Sequence, residues 1–151
     1  MKNKKIILIL LTILIIIAVI IMVSIKNKDN NKETIDNSIY WVTTDENGKK
    51  TNNSEKMEEL KTFEGLTLKK EELVSYDSKT EMLINVNNTT QTDIQLIPIV
   101  ITLLDKEGTE LVKLKGIINP TKVGESTKIY MVSSLDYTDA YDYKIEKNTE
   151  F

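Results

Sequence analysis

Ile94-Gln95-Leu96-Ile97-Pro98-Ile99-Val100-Ile101-Thr102-Leu103-Leu104 runs straight into Asp105-Lys106-Glu107-Gly108. The run is apolar on both of its faces, the pattern of a strand covered on either side near the centre of a sheet. Pro98 cannot donate to a ladder, so it marks a bulge or a locally unpaired edge within that strand. Asp105 to Gly108 is turn chemistry, with Gly108 free to take positive φ, and the next segment is therefore expected to return antiparallel.

Working outward, that return is Glu110 to Ile118, where Val112, Leu114 and Ile118 share a face. Upstream, Thr80 to Asn87 alternates, with Met82, Ile84 and Val86 on one side. Leu66 to Ser75 precedes it as a strand, and Tyr76-Asp77-Ser78-Lys79 separates the two. Asn88 to Thr92 is a polar break. Downstream, Asn119-Pro120-Thr121-Lys122-Val123-Gly124-Glu125 links to strands at Thr127 to Ser133 and Tyr141 to Lys147. The last alternates Tyr141, Tyr143 and Ile145 against Asp142, Lys144 and Glu146. Six or seven short strands with little helix and no repeat predict a mainly β domain, a small antiparallel sandwich over about 63–151. An extension at 39–62 adds the strand formers Ile39-Tyr40-Trp41-Val42-Thr43-Thr44, closed by Asp45-Glu46-Asn47-Gly48. Within it Ser54 is placed to cap a helical turn or two through Leu60, since Glu55, Glu58 and Glu59 suit a helix N-terminus.

The N-terminal portion is of a different kind. Ile6 to Ile25 carries no charge, and at about 1.5 Å per residue a helix of that length spans the hydrocarbon core of a bilayer. A polar face is missing at every helical angle, which excludes a buried core helix. A cleavable signal peptide fits less well, because the run is long and Val23-Ser24-Ile25-Lys26 offers no small-x-small site. The expected order is a cytoplasmic tail at 1–5, one transmembrane helix at 6–25 and a polar linker at 26–38. Lysines flank the span almost evenly, and the short tail with its free amino group favours an inside N-terminus and an extracytoplasmic domain.

Composition narrows the chemistry. Cys and His are both absent, which removes thiol nucleophiles, disulfides, Cys/His zinc sites and imidazole catalysis. The basic residues are 20 lysines without an arginine, against 23 acids, for a net charge of −3. Such a surface argues against nucleic acid as a partner. No cofactor, metal or catalytic residue is expected.

Several segments resemble the FxLYD domain, a small extracytoplasmic Ig-like β-sandwich of Gram-positive, notably clostridial, envelope proteins. They are Asn87-Asn88-Thr89, Ile101-Thr102-Leu103-Leu104-Asp105-Lys106-Glu107-Gly108, Val123-Gly124-Glu125-Ser126 and Asp139-Ala140-Tyr141-Asp142-Tyr143. The likeness runs from Phe63 to Glu146, with Leu103-Leu104-Asp105 standing where Leu-Tyr-Asp is usual. It implies an Ig-like fold and an envelope location, and no catalytic residues.

Tyr40 and Trp41 are the candidate partner-binding residues, because aromatic faces stack on sugars or peptide; burial of a strand against the domain competes with that role. Asp136, Asp139 and Asp142 are three apart, but on a strand that spacing alternates faces and suits a solvated edge better than calcium. The Ser-x-Lys pairs at Ser24, Ser54 and Ser126 lack the buried pocket that a tuned lysine base requires. Tyr141 is the candidate for a buried corner tyrosine whose hydroxyl returns to backbone. The expected function is a membrane-anchored binding or interaction module of the cell envelope. Its partners would be the membrane and an envelope protein or cell-wall polymer. An envelope enzyme of Ser–Lys or paired-carboxylate type and an accessory subunit of a membrane sensor complex are the alternatives.

Overall fold

The computed structural model describes residues 40–150; the expected tail, membrane span and linker lie outside the described residues. No helix among the described residues is long and apolar enough to cross a membrane. The domain is mainly β, with two antiparallel sheets.

The alternation in 80–87 becomes strand β5 (Lys79–Asn87), which buries Met82, Ile84 and Val86 completely. It sits in the larger sheet between β4 (Leu66–Tyr76) and β8 (Ser126–Ser133). Three short strands extend that sheet: β1 (Val42–Thr44) pairs with β2 (Lys50–Asn52), while β2 and β3 (Lys61–Phe63) pair with different stretches of β4. The smaller sheet has the order β7-β6-β9, with β6 (Ile97–Leu104) between β7 (Glu110–Ile118) and β9 (Asp142–Lys147). The strand expected to be central is central.

Pro98 is accommodated by the end of a neighbour. The β6–β9 ladder stops at Ile99–Lys147, and the Asn148 N–H still donates to the Pro98 carbonyl at 2.9 Å. Only the reciprocal bond, for which proline has no proton, is missing. The Asp105–Gly108 turn forms as expected: Gly108 takes φ +83° and its N–H donates to the Asp105 carbonyl. Asp45 closes the β1–β2 turn in the same way, its carboxylate also accepting the N–H of Asn47 and Lys49.

The inner faces of both sheets share one core. Leu66, Leu68, Leu73, Met82, Ile84 and Ile129 from the larger sheet meet Ile99, Ile101, Leu103, Leu114, Ile118 and Tyr143 from the smaller. Burial of each large side chain stabilises by about 1.5–3 kcal/mol relative to exposure. On one flank β7 lies so close to β8 that a Cβ at Gly116 would stand 3.3 Å from Met131 Sδ.

Three features depart from the sequence reading. Strands β2 and β3 were not expected; Lys50-Thr51-Asn52 and Lys61-Thr62-Phe63 are short and polar, and only pairing with β1 and β4 makes them strands. The helix is one turn, α1 (Glu55–Glu58), and stops before Leu60 because Lys61 to Phe63 is drawn into the β3–β4 hairpin. Ser54 occupies the N-cap position, yet its hydroxyl donates to the Tyr141 carbonyl instead of capping the turn. Finally, β4 bulges at Glu71. The bulge switches the inward face from Leu66, Leu68 and Lys70 to Leu73 and Ser75, and the inward residue just before it is a lysine.

Candidate functional site

The candidate surface is assembled at the end of the domain that carries the Asp105–Gly108 turn. Trp41 lies just before β1 and is partly buried. Its indole N–H donates to the Asp139 carbonyl at 3.2 Å, and its own carbonyl accepts the Asn53 N–H at 2.7 Å. Tyr141 packs against it with ring centroids 4.9 Å apart. Tyr40 stands edge-on to Trp41, also at 4.9 Å, and is 76 % exposed. The Lys106 ammonium lies 5.7 Å from the Tyr40 ring centre, within cation–π range. Two segments distant in sequence thereby converge on the aromatic pair, with Trp41 as the fixed member and Tyr40 as the presented one.

Below this surface is a buried polar tie. The Asn52 side-chain amide donates to the Thr138 and Ala140 carbonyls at 2.7 and 2.6 Å, while its oxygen accepts the Ser54 N–H. Lys70, on the inward face of β4 with Leu66 and Leu68, donates to the Asn52 carbonyl at 2.8 Å and reaches Glu58 at 2.6 Å. These bonds satisfy main-chain groups of 138–141 that have no ladder partner, and they hold in place the loop on which Trp41 rests.

The acids at 136, 139 and 142 go separate ways. Asp136 pairs with Lys50 at 2.7 Å and accepts the Thr138 hydroxyl and N–H. Partial burial pushes its carboxyl up, but the Lys50 ammonium and the Thr138 donors outweigh this and bring it down to about 2. Asp142 accepts from Lys61 at 2.6 Å and from the Tyr143 N–H, and Asp139 is exposed. Among the described residues no three carboxylates converge on a point where a metal would sit. Neither serine of the described Ser-x-Lys pairs meets its lysine: Ser126 bonds to Asn87, and Lys128 and Lys56 pair with Glu71 and Glu59.

Tyr141 is not the buried corner residue. Its ring is half-buried on Trp41, whereas Tyr143 is the buried tyrosine, with a hydroxyl that finds no hydrogen-bond partner. Burial, then the nearby Asp142 and Glu58 charges, raise that hydroxyl well above the usual tyrosine range. At the opposite end of the domain Asn88 ties two of the sequence motifs together. Its N–H donates to the Glu125 carbonyl, its carbonyl accepts the Gly124 N–H, and its amide donates to Thr92 and Thr121. Asn87-Asn88-Thr89 and Val123-Gly124-Glu125-Ser126 are thus two sides of one structural knot.

Sequence reasoning selected Tyr40 and Trp41 but missed Lys106, Asn52 and Lys70 as their support. Of these only Lys106 carried a signal, as the exposed position of a turn already recognised. No protein-family model, curated protein or solved structure matches the chain.

Proposed function

We propose that this protein is a membrane-anchored binding module of the bacterial cell envelope, with an extracytoplasmic Ig-like sandwich of the FxLYD type. It engages an envelope protein or a cell-wall polymer through the Tyr40–Trp41 surface. The observation that carries this reading is the exposure of Tyr40 against a Trp41 held from behind by Tyr141 and the Asp139 carbonyl, with Lys106 alongside. Such a surface offers a sugar or peptide a pre-set aromatic face and a flanking cation, at little cost in side-chain ordering. The anchor rests on the uncharged run from Ile6 to Ile25, and the family on the four motifs together with a mainly β domain of two antiparallel sheets.

Two experiments test the proposal. Protease shaving of intact cells removes the domain if it lies outside; full protection rejects the location. Tyr40→Ala in the full chain is expected to cut retention on purified cell wall, or crosslinking to a membrane neighbour, about tenfold. Because Tyr40 is exposed, the unfolding midpoint should stay unchanged. Retention and crosslinking both equal to the parent chain would reject the surface.

A further inference from the structure

Residues 40–53 carry the Tyr40–Trp41 surface, yet they contribute nothing to the hydrophobic core. Neither the buried cluster nor the half-buried side chains packed on it include any residue of this stretch. β1 pairs only with β2, and the ladder joining β2 to β4 consists of Lys50–Ser75 and Thr51–Val74. By contrast, the β4–β5 ladder runs from Thr67–Asn87 to Tyr76–Lys79.

The remaining ties of the stretch are polar or lie at its surface. Lys49 pairs with Glu72 at 2.9 Å and Lys50 with Asp136 at 2.7 Å. The Asn52 amide holds the Thr138 and Ala140 carbonyls, and the Asn52 carbonyl accepts from Lys70. The Trp41 indole donates to the Asp139 carbonyl and its ring meets Tyr141. Water replaces each polar partner when such a tie breaks, so each contributes little net stability, whereas nothing replaces burial in the core. Lys70 would lose one acceptor but keep Glu58, which sits on α1.

The stretch has a defined end. Ser54 is fully buried with its hydroxyl on the Tyr141 carbonyl, and Met57 on α1 belongs to the core, so the chain is pinned from Ser54 onward. Two strands of three residues do not persist as a hairpin alone in water. Once off β4, the stretch also loses its cross-hairpin bonds, Asp45 N–H to Lys49 and Asn53 N–H to Trp41.

We infer that residues 40–53 form a polar latch that opens as one unit while both sheets stay folded, and that the Tyr40–Trp41 surface exists only while the latch is shut. Opening takes Trp41 off Tyr141 and Asp139, and so dismantles the support on which Tyr40 is presented. A partner held by Tyr40 therefore favours the shut state, and whatever opens the latch releases the partner. This regulatory half rests on the function proposed above; the opening itself does not.

Native-state hydrogen exchange on the full chain in detergent, with rates that follow the opening equilibrium, tests the latch. In the parent, 40–53 should exchange ahead of 79–87 and 97–104. Ile84→Val and Ile101→Val each trim one core side chain, one in either sheet. Each should speed exchange in 79–87 and 97–104 about fivefold and leave 40–53 at the parent rate. If 40–53 speeds up with them, the stretch opens only with the whole domain and the inference is overturned. Thr51→Cys with Val74→Cys, directly opposite on β2 and β4, sets two thiols within disulfide reach in a chain that has no cysteine. Oxidation should slow exchange throughout 40–53, and reduction should restore it; a clamp without effect beyond position 51 shows piecemeal fraying and overturns the single unit. Retention on purified cell wall, or crosslinking to a membrane neighbour, should be at least as high oxidised as reduced. Retention lost on oxidation and regained on reduction would mean that the surface works open, and would overturn the regulatory half. A parent that is never retained rejects the proposed function, while the exchange result is read independently of it.

Discussion

The ammonium of Lys70 lies 2.6 Å from Glu58 Oε1 and is only 3 % exposed, while the Glu58 side chain remains half in water. A buried lysine beside a core of Leu, Met and Ile is stable only while both of its acceptors, Glu58 and the Asn52 carbonyl, are present.

Removal of the two partners should therefore be asymmetric. Glu58→Ala leaves a buried ammonium short of its counter-charge and should cost about 2 kcal/mol, whereas Lys70→Met should cost about 1 kcal/mol. The double variant should be no worse than Lys70→Met alone, a coupling that a double-mutant cycle reads directly. The chain holds a single tryptophan, Trp41, so intrinsic fluorescence during urea unfolding reports this domain even in the full chain.

Asp136 ties stability to acid. Its carboxyl titrates at about 2 in the folded domain, below the ordinary unfolded value near 3.9. A folded value below the unfolded one means a contribution fully present above about pH 4 and lost as pH falls through about 2. With a side chain 28 % exposed, the contribution should be about 1–2 kcal/mol. The stability difference between the parent and Asp136→Asn should shrink across that window; a difference flat from pH 6 to pH 2 would contradict the pairing.

Tyr143→Phe should stabilise the domain by about 1 kcal/mol, because the hydroxyl it removes is buried without a partner. Loss of stability on denaturant unfolding would show that the hydroxyl is bonded after all.

The β4–β5 turn stores backbone strain. Asp77 and Ser78 adopt φ of +51° and +62°, the mirror-image turn that Asn-Gly accommodates most readily. Replacing the pair by Asn-Gly should raise stability by about 1 kcal/mol, seen as a higher urea midpoint at unchanged slope. A lower midpoint would place the strain elsewhere.

The long strands were legible because their information is local. Alternation through Met82, Ile84 and Val86, apolarity on both faces from Ile97 to Leu104, and Asp-x-x-Gly chemistry at 45–48 and 105–108 each hold within one turn or one strand. Such patterns dictate which face is buried before any partner is specified. Lys50–Asn52 and Lys61–Phe63 carry no such pattern and become strands only through partners elsewhere in the chain. The change of inward face between Lys70 and Leu73 likewise depends on one bulged residue that alternation does not reveal.

The candidate surface divides along the same line. The sequence alone determined that the domain is mainly β, that its core strands pair antiparallel, and that Tyr40 and Trp41 are aromatics standing outside the core pattern. Tertiary structure alone decided which of the two is held and which is presented, and that Lys106 flanks Tyr40. It also decided that Asn52 and Lys70 lock the loop beneath, and that Tyr143, not Tyr141, is the buried tyrosine. The physical reason is range. Periodicity and turn chemistry act between residues a few positions apart, whereas Trp41 and Asp139, or Asn52 and Ala140, meet only after the sheets have closed around their core.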